Sequence, residues 1–192
     1  MYSKKYNDIL NFVEIYGAIS IDIAKDLYYN TKFGYDSSRR ALSKLVSNGY
    51  LKTSKDFVSD KYVYYDKKAI SSHKLILLRF YAKIVALGGE ILEFKREYKA
   101  INYISDGLII YRYNGAIKII LVEVDINNKT KEEKYIKIYN SNYYQNTFGT
   151  FPRVFIIDKR AEQRDVKNKK IEQQKIKFIF LNYDFDSLGD FL

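Results

Sequence analysis

The chain has 192 residues, 47% of them hydrophobic, with 33 Lys or Arg against 23 Asp or Glu and a formal net charge of +10 at pH 7. The apolar fraction is enough for a packed core, while the absence of cysteine and the single histidine, His73, exclude a disulfide framework, a thiolate metal centre and a His-rich zinc site. The positive balance favours a polyanionic partner, nucleic acid first, because clustered Lys and Arg gain affinity by releasing counterions from phosphates. No run reaches the roughly 18–20 uncharged apolar residues of a membrane helix. The opening MYSKKYNDIL has no apolar leader stretch, so a cytoplasmic location without membrane contact is expected.

In KKYNDILNFVEIYGAI, Ile9, Phe12, Val13 and Tyr16 recur at helical spacing, and Gly17 stops the pattern. SIDIAKDLYYN follows, with Ser20 as an N-cap and Ile23, Ala24 and Leu27 as one apolar face. In YDSSRRALSKLVSNGYLK, Asp36 or Ser37 caps a third helix that turns Ala41, Leu42, Leu45 and Val46 inward and ends at Gly49. YLKTSKDFVSDKYVYYD then reads as two strands about a polar turn near Ser59 and Asp60.

Three helices and a two-stranded ribbon, with LSKLVSNGYL closing the third helix, resemble the winged helix-turn-helix family over residues 4–68. The resemblance implies a DNA-binding domain at residues 1–70 whose third helix enters the major groove while the ribbon reaches backbone or minor groove. At about 100° per residue, Ser37, Arg40, Ser43 and Lys44 fall on the outer face or its flank, with Arg39 nearby. Lys52, Lys55 and Lys61 sit on the ribbon. Arg suits a paired contact with guanine, whereas Ser and Lys suit phosphate. A solvated charged helix face carries the same residue pattern without any such role.

DKKAISSHKLILLRFYAKIVALGG predicts a polar joint, two serines fit to cap, and a helix over residues 72–87 that stops at Gly88 and Gly89. His73 reads there as a capping or surface residue. EILEFKRE alternates as a strand, and DGLIIYRY and AIKIILVEVD flank Asn114-Gly115, the dipeptide of a tight hairpin whose two central residues take positive φ. KTKEEKYIKIYNSNYYQN reads as one helix, PRVFIIDK as a buried strand, AEQRDVKNKKIEQQ as a polar amphipathic helix, and IKFIFLNYD as a further strand.

Helix, three antiparallel strands, helix and strand is the αβββαβ order of the restriction-endonuclease-like, or PD-(D/E)XK, nucleases, and residues 71–192 resemble that domain. The fold class expected for the whole chain is therefore α+β, a winged helix-turn-helix followed by an endonuclease-like mixed sheet. Asp106 heads one strand and Glu123-Val124-Asp125 ends the next, with Glu123 and Asp125 on one strand face. The resemblance implies that Asp106, Glu123 and Asp125 hold Mg²⁺, which would activate water against a phosphodiester. A plain exit of the strand into solvent before INNKTKEEK is the alternative. Ser105 stands where that family has proline, and Asp125 where it has lysine, a loss that Lys134 or Lys137 on the next helix would make good.

FKRE before SDGLIIY, then ILVEVDINNKTKEEKYIKIYNSNYY, together with the winged unit, resemble the replication-relaxation family of plasmid and mobile-element proteins, although DINNKT departs from that family's DRGT. The resemblance implies DNA handling in plasmid replication, transfer or copy control. It makes Glu97 the upstream acidic member, ahead of Glu93, and Lys134 and Tyr139 the helix members. Tyr135, Tyr139 and Tyr143 at helical spacing also read as packing. The function expected is sequence-specific binding of double-stranded DNA by a chain whose nuclease-like domain is weak or inert. The alternative is a Mg²⁺-dependent endonuclease or nickase using Asp106, Glu123 and Asp125. Expected partners are duplex DNA, plasmid replication or transfer proteins, and a second copy of the chain.

Overall fold

The computed structural model describes residues 4–163 and 176–192. Its first elements are α1 (Lys4–Tyr16), β1 (Ile19–Ser20), α2 (Ile21–Tyr28), α3 (Gly34–Ser47), β2 (Lys52–Asp56), β3 (Lys61–Tyr65) and α4 (Ser72–Ala86). α1 buries Ile9, Phe12 and Val13 and ends where Gly17, at φ +93°, donates its N–H to the Val13 carbonyl at 2.7 Å. That left-handed conformation is open to glycine at little cost. The two-residue β1, which periodicity does not reveal, pairs antiparallel with β3 through Ile19↔Tyr64 and Ser20↔Val63, giving the sheet order β1-β3-β2. Ser20 has two roles, since its Oγ also accepts the Ile23 N–H at 3.3 Å and starts α2.

α4 starts at the N-cap Ser71, whose Oγ accepts the Lys74 N–H at 3.4 Å, and half-buried His73 lies in its first turn. α4 packs against α2 and β1, and Leu75 to Phe80 are all buried. The chain accordingly divides into compact units Met1–Leu87 and Gly88–Leu192, not at the expected boundary between residues 70 and 71. The physical reason is that α4's apolar surface belongs to the core built by the preceding helices. Asp22 on α2 adds a polar tie to this unit, with Lys61 of β3 at 3.4 Å and Arg79 of α4 at 3.9 Å.

The second unit contains β4 (Glu90–Ala100), β5 (Tyr103–Tyr113), β6 (Ala116–Asp125), α5 (Glu132–Asn140), α6 (Tyr143–Phe148), β7 (Arg153–Asp158) and β8 (Phe178–Leu181). They form one five-stranded sheet, β4-β5-β6-β7-β8, antiparallel as far as β6 and parallel from β6 to β8. The hairpin falls at Asn114 and Gly115, at φ +48° and +79°, as that dipeptide predicts. A parallel neighbour needs a crossover, and α5 and α6 supply it between β6 and β7.

The single helix expected over residues 129–146 is two. Asn142 sits at φ +55°, a left-handed conformation asparagine tolerates better than most residues, and breaks the run. Behind the sheet, Leu108, Leu121, Tyr135, Ile138, Tyr144 and Phe178 share one apolar cluster. The helix predicted for AEQRDVKNKKIEQQ lies outside the described residues apart from its first three positions, which end the 3₁₀ turn Lys159–Gln163. The fold class is α+β. Among the described residues, no helix is long and apolar enough to cross a membrane.

Candidate functional site

α3 separates its residues by face. Ser38, Ala41, Leu42 and Leu45 are buried, whereas Arg39, Arg40, Ser43 and Lys44 are exposed; Ser37 and Val46 are half-buried on the flanks. The helix begins earlier than expected, at Gly34, with Phe33 at the cap position and no side-chain cap bond, so Asp36 and Ser37 lie inside the first turn. Asp36 instead meets Arg39 at 3.3 Å, both side chains being solvated. The early start depends on close approach: a Cβ on Gly34 would stand 1.8 Å from the Tyr29 carbonyl oxygen at the end of α2. Only glycine lets the two helices turn this tightly. At the other end Gly49, at φ +78°, donates to the Val46 carbonyl and Tyr50 to that of Leu45, closing the helix in a left-handed cap.

The ribbon beside α3 carries Lys52, Lys55 and Lys61, with Lys52 and Lys55 exposed and Lys61 half-buried. Two of the three have carboxylate partners, Lys55 with Asp60 at 2.6 Å and Lys61 with Asp22 at 3.4 Å, leaving less free charge on the ribbon than the sequence suggests. The turn is tied down: the Asp56 carboxylate accepts the Ser59 N–H at 2.9 Å, the Ser59 hydroxyl at 2.5 Å, and the Ser72 hydroxyl from the start of α4. Between α3 and the ribbon lies an open groove of about 550 Å³ lined by Tyr35, Arg39, Ser43, Thr53, Tyr62 and Tyr64, with Ile21, Val46 and Ser47 completing the lining. Sequence reasoning missed this groove, because its tyrosines come from a helix and a strand whose apposition periodicity cannot show.

In the second unit each acidic residue at the β5 and β6 ends has its own role. The Asp106 carboxylate accepts the Val124 N–H at 2.7 Å, just past Gly107↔Val122, the last rung between β5 and β6. A side chain thus takes the place of a strand carbonyl where the two strands part. Asp125, 6% exposed, accepts the Thr130 N–H at 2.9 and 3.1 Å and its hydroxyl at 2.6 Å, closing the loop that leads to α5. Glu123, also 6% exposed, accepts from Lys134 Nζ at 2.5 Å and from the Tyr135 hydroxyl through the same oxygen. Lys134 also donates to the Ile104 carbonyl at 2.8 Å, and Ser105 donates to the Tyr135 oxygen at 3.1 Å.

Burial pushes the Glu123 carboxyl above its ordinary range, and the nearby Asp106 adds to that, against the opposing effects of Lys134 and Tyr135. Tyr135, fully buried, is held well above the usual phenol range by desolvation and then by the Glu123 charge. It stays a neutral donor at any ordinary pH.

Asp106, Glu123 and Asp125 each accept from a different protein donor. Among the described residues, no group of three or more His, Cys, Asp or Glu side chains is arranged to hold a metal ion. The physical reason is that these carboxylates are spent on protein donors: a backbone N–H, a lysine with a tyrosine, and a threonine. Lys134 does arrive from α5 where the strand lacks a lysine, whereas Lys137 is exposed and makes no such approach. Glu97 is exposed at φ +53° on β4, in the gap between Arg96↔Gly107 and Tyr98↔Ser105, a register position across from Asp106. Glu93 pairs with Lys95 at 2.5 Å. Tyr139 packs on Phe151 and Tyr143 on Tyr144, each with ring centroids 5.3 Å apart, as packing residues do. Tyr135 was legible as packing, but its bond to Glu123 was not.

In comparisons with family models, with curated proteins and with solved structures, nothing matches the chain.

Proposed function

We propose that the chain is a sequence-specific double-stranded DNA-binding protein. In this reading the first unit is a winged helix-turn-helix reader with α3 as its recognition helix, and the second is an endonuclease-like domain that does not cut. The observation that carries the reading is α3's outer face: Arg39, Arg40, Ser43 and Lys44 stand in solvent on a helix anchored by Ser38, Ala41, Leu42 and Leu45. Support comes from the element order α1-β1-α2-α3-β2-β3 with sheet order β1-β3-β2, which suits a helix presented to a groove beside a ribbon. The net charge of +10 supplies the attraction to phosphate.

The three antiparallel strands, helical crossover and parallel strand of the second unit support the endonuclease-like reading of its architecture. Fold does not carry activity, and the carboxylates there are engaged by protein donors, so no cleavage step is assigned to them. The resemblance of the EVD segment is what supports, within this reading, a role in plasmid or mobile-element replication, transfer or copy control, with replication or transfer proteins and a second copy as partners.

The test is selection of bound fragments from random duplex DNA with and without Mg²⁺, followed by inspection of the DNA for cuts. One preferred short site and intact DNA are expected. Arg40→Ala weakens binding to that site by roughly 1–3 kcal/mol and relaxes base preference, whereas Lys44→Ala weakens all sequences alike and lowers the salt slope by about 1. Equal affinity for every sequence before and after Arg40→Ala refutes the assigned face. Cutting that needs Mg²⁺ and disappears on Asp106→Ala refutes the inert second unit.

A further inference from the structure

The groove between α3 and the ribbon has a lining unlike a surface that only grips phosphates. Its volume of about 550 Å³ is within the roughly 300–1,000 Å³ of pockets that hold small ligands. Three tyrosines, Tyr35, Tyr62 and the buried Tyr64, line it together with the polar Arg39, Ser43 and Thr53. The phenols converge: Tyr64 is held above the usual phenol range by burial and then by the closeness of Tyr35 and Tyr62, with Arg39 opposing. Tyr35 and Tyr62 are 48% and 56% exposed, so their rings are open to a ligand.

Among the described residues, exposed aromatics are also confined to this part of the chain. Among the described residues the exposed Phe and Tyr are Phe33, Tyr35, Tyr50, Phe57 and Tyr62, all between the start of α3 and β3. Keeping five large rings in water on the same stretch that presents Arg39, Arg40, Lys44 and Lys52 is the combination by which proteins hold bases that have left a stack. In a closed duplex each base face is covered by its neighbours, so a tyrosine ring in a groove meets a base face only when that base is unstacked.

Resting on the DNA-binding reading, we infer that the groove between α3 and the ribbon holds one unstacked nucleobase, stacked on Tyr35 and Tyr62 with Arg39, Ser43 and Thr53 at its edge. The base comes either from a single strand or from a duplex that has released it. The reader then binds DNA that is locally open in preference to DNA that is fully paired.

The experiment compares one short mixed-sequence duplex at low salt, the same duplex carrying a single bulged 2-aminopurine, and the corresponding single strand. The bulged duplex, the single strand or both bind about tenfold tighter than the paired duplex, as one stacked base provides. 2-Aminopurine emission falls on binding as the base stacks on tyrosine. A preference for the bulge alone identifies a base released from duplex, and a preference shared by the single strand identifies strand binding.

Tyr35→Ala/Tyr62→Ala brings the three DNAs to within about twofold of each other while affinity for the paired duplex stays within about twofold of the parent, because the phosphate contacts remain. Tyr62→Phe keeps the preference, and Tyr50→Ala, outside the groove lining, leaves it unchanged. Equal affinity of the parent for all three DNAs, with paired-duplex binding intact, overturns the groove assignment and spares the DNA-binding reading. Absence of binding to every form overturns both.

Discussion

Lys134→Met tests whether the buried end of β6 is a structural ion pair. Lys134 Nζ donates to Glu123 at 2.5 Å and to the Ile104 carbonyl at 2.8 Å, and the two side chains are 19% and 8% exposed. Removing one partner of a buried pair costs about 3–5 kcal/mol because the other charge stays behind. The partial exposure of Lys134 and the surviving bond from Tyr135 reduce this, so a loss of about 2–4 kcal/mol near pH 8 is expected.

The pH dependence follows from Glu123, whose folded pKa is raised above 4.5, chiefly by burial. A raised carboxyl contributes stability that is fully present below the unfolded value and lost as pH rises through the folded one. Without Lys134 the folded value climbs further. The penalty is therefore greatest at high pH, where the folded variant must hold Glu123 ionised without its lysine, and shrinks as pH falls below the raised folded values, where folded parent and folded variant alike keep it protonated. Urea unfolding of parent, Lys134→Met, Glu123→Gln and the double variant at about pH 8 and about pH 5 measures this, and the double variant recovers most of the loss. A Lys134→Met cost under about 0.5 kcal/mol, or one that is the same at both pH values, refutes the reasoning.

Gly34→Ala forces a Cβ against the Tyr29 backbone, so the α2–α3 turn must open; a cost of about 1–3 kcal/mol appears as a lowered Tm, with DNA affinity falling because α3 loses its angle. Asp106→Ala leaves the Val124 N–H without its acceptor and costs about 1–3 kcal/mol in urea unfolding, while duplex affinity measured by anisotropy is unchanged. Asp22→Ala releases Lys61 and Arg79 and lowers stability by about 1 kcal/mol, small because the carboxylate is only partly buried.

Patterns local in the chain were legible, and contacts between distant segments were not. Ala41, Leu42 and Leu45 face inward because a 3.6-residue period fixes their direction whatever they pack on. Asn114-Gly115 fixes the hairpin because two successive positive φ angles suit few other residues. β1 is too short to show a period and exists only because β3 arrives to pair with it. The domain boundary failed for a similar reason, since α4's sequence carries its apolar face but not the identity of the helices that cover it. At the acidic strand end, Glu123 and Asp125 were found from their shared face, and Lys134 from the missing strand lysine. Their dispersal into separate bonds was hidden, because Thr130 and Tyr135 are ordinary residues until a loop and a helix bring them within reach.

β4 stands at one margin of the five-stranded sheet and is eleven residues long, long enough to template the addition of a foreign strand. Its irregularities work against that. The register shifts between Ile91 and Glu93, and Glu97 turns into a left-handed conformation, so its row of outward N–H and C=O groups is broken twice. Exposed Glu90, Lys95 and Lys99 add charge along the same margin. Both breaks interrupt the regular ladder that a foreign strand would need along the length of β4.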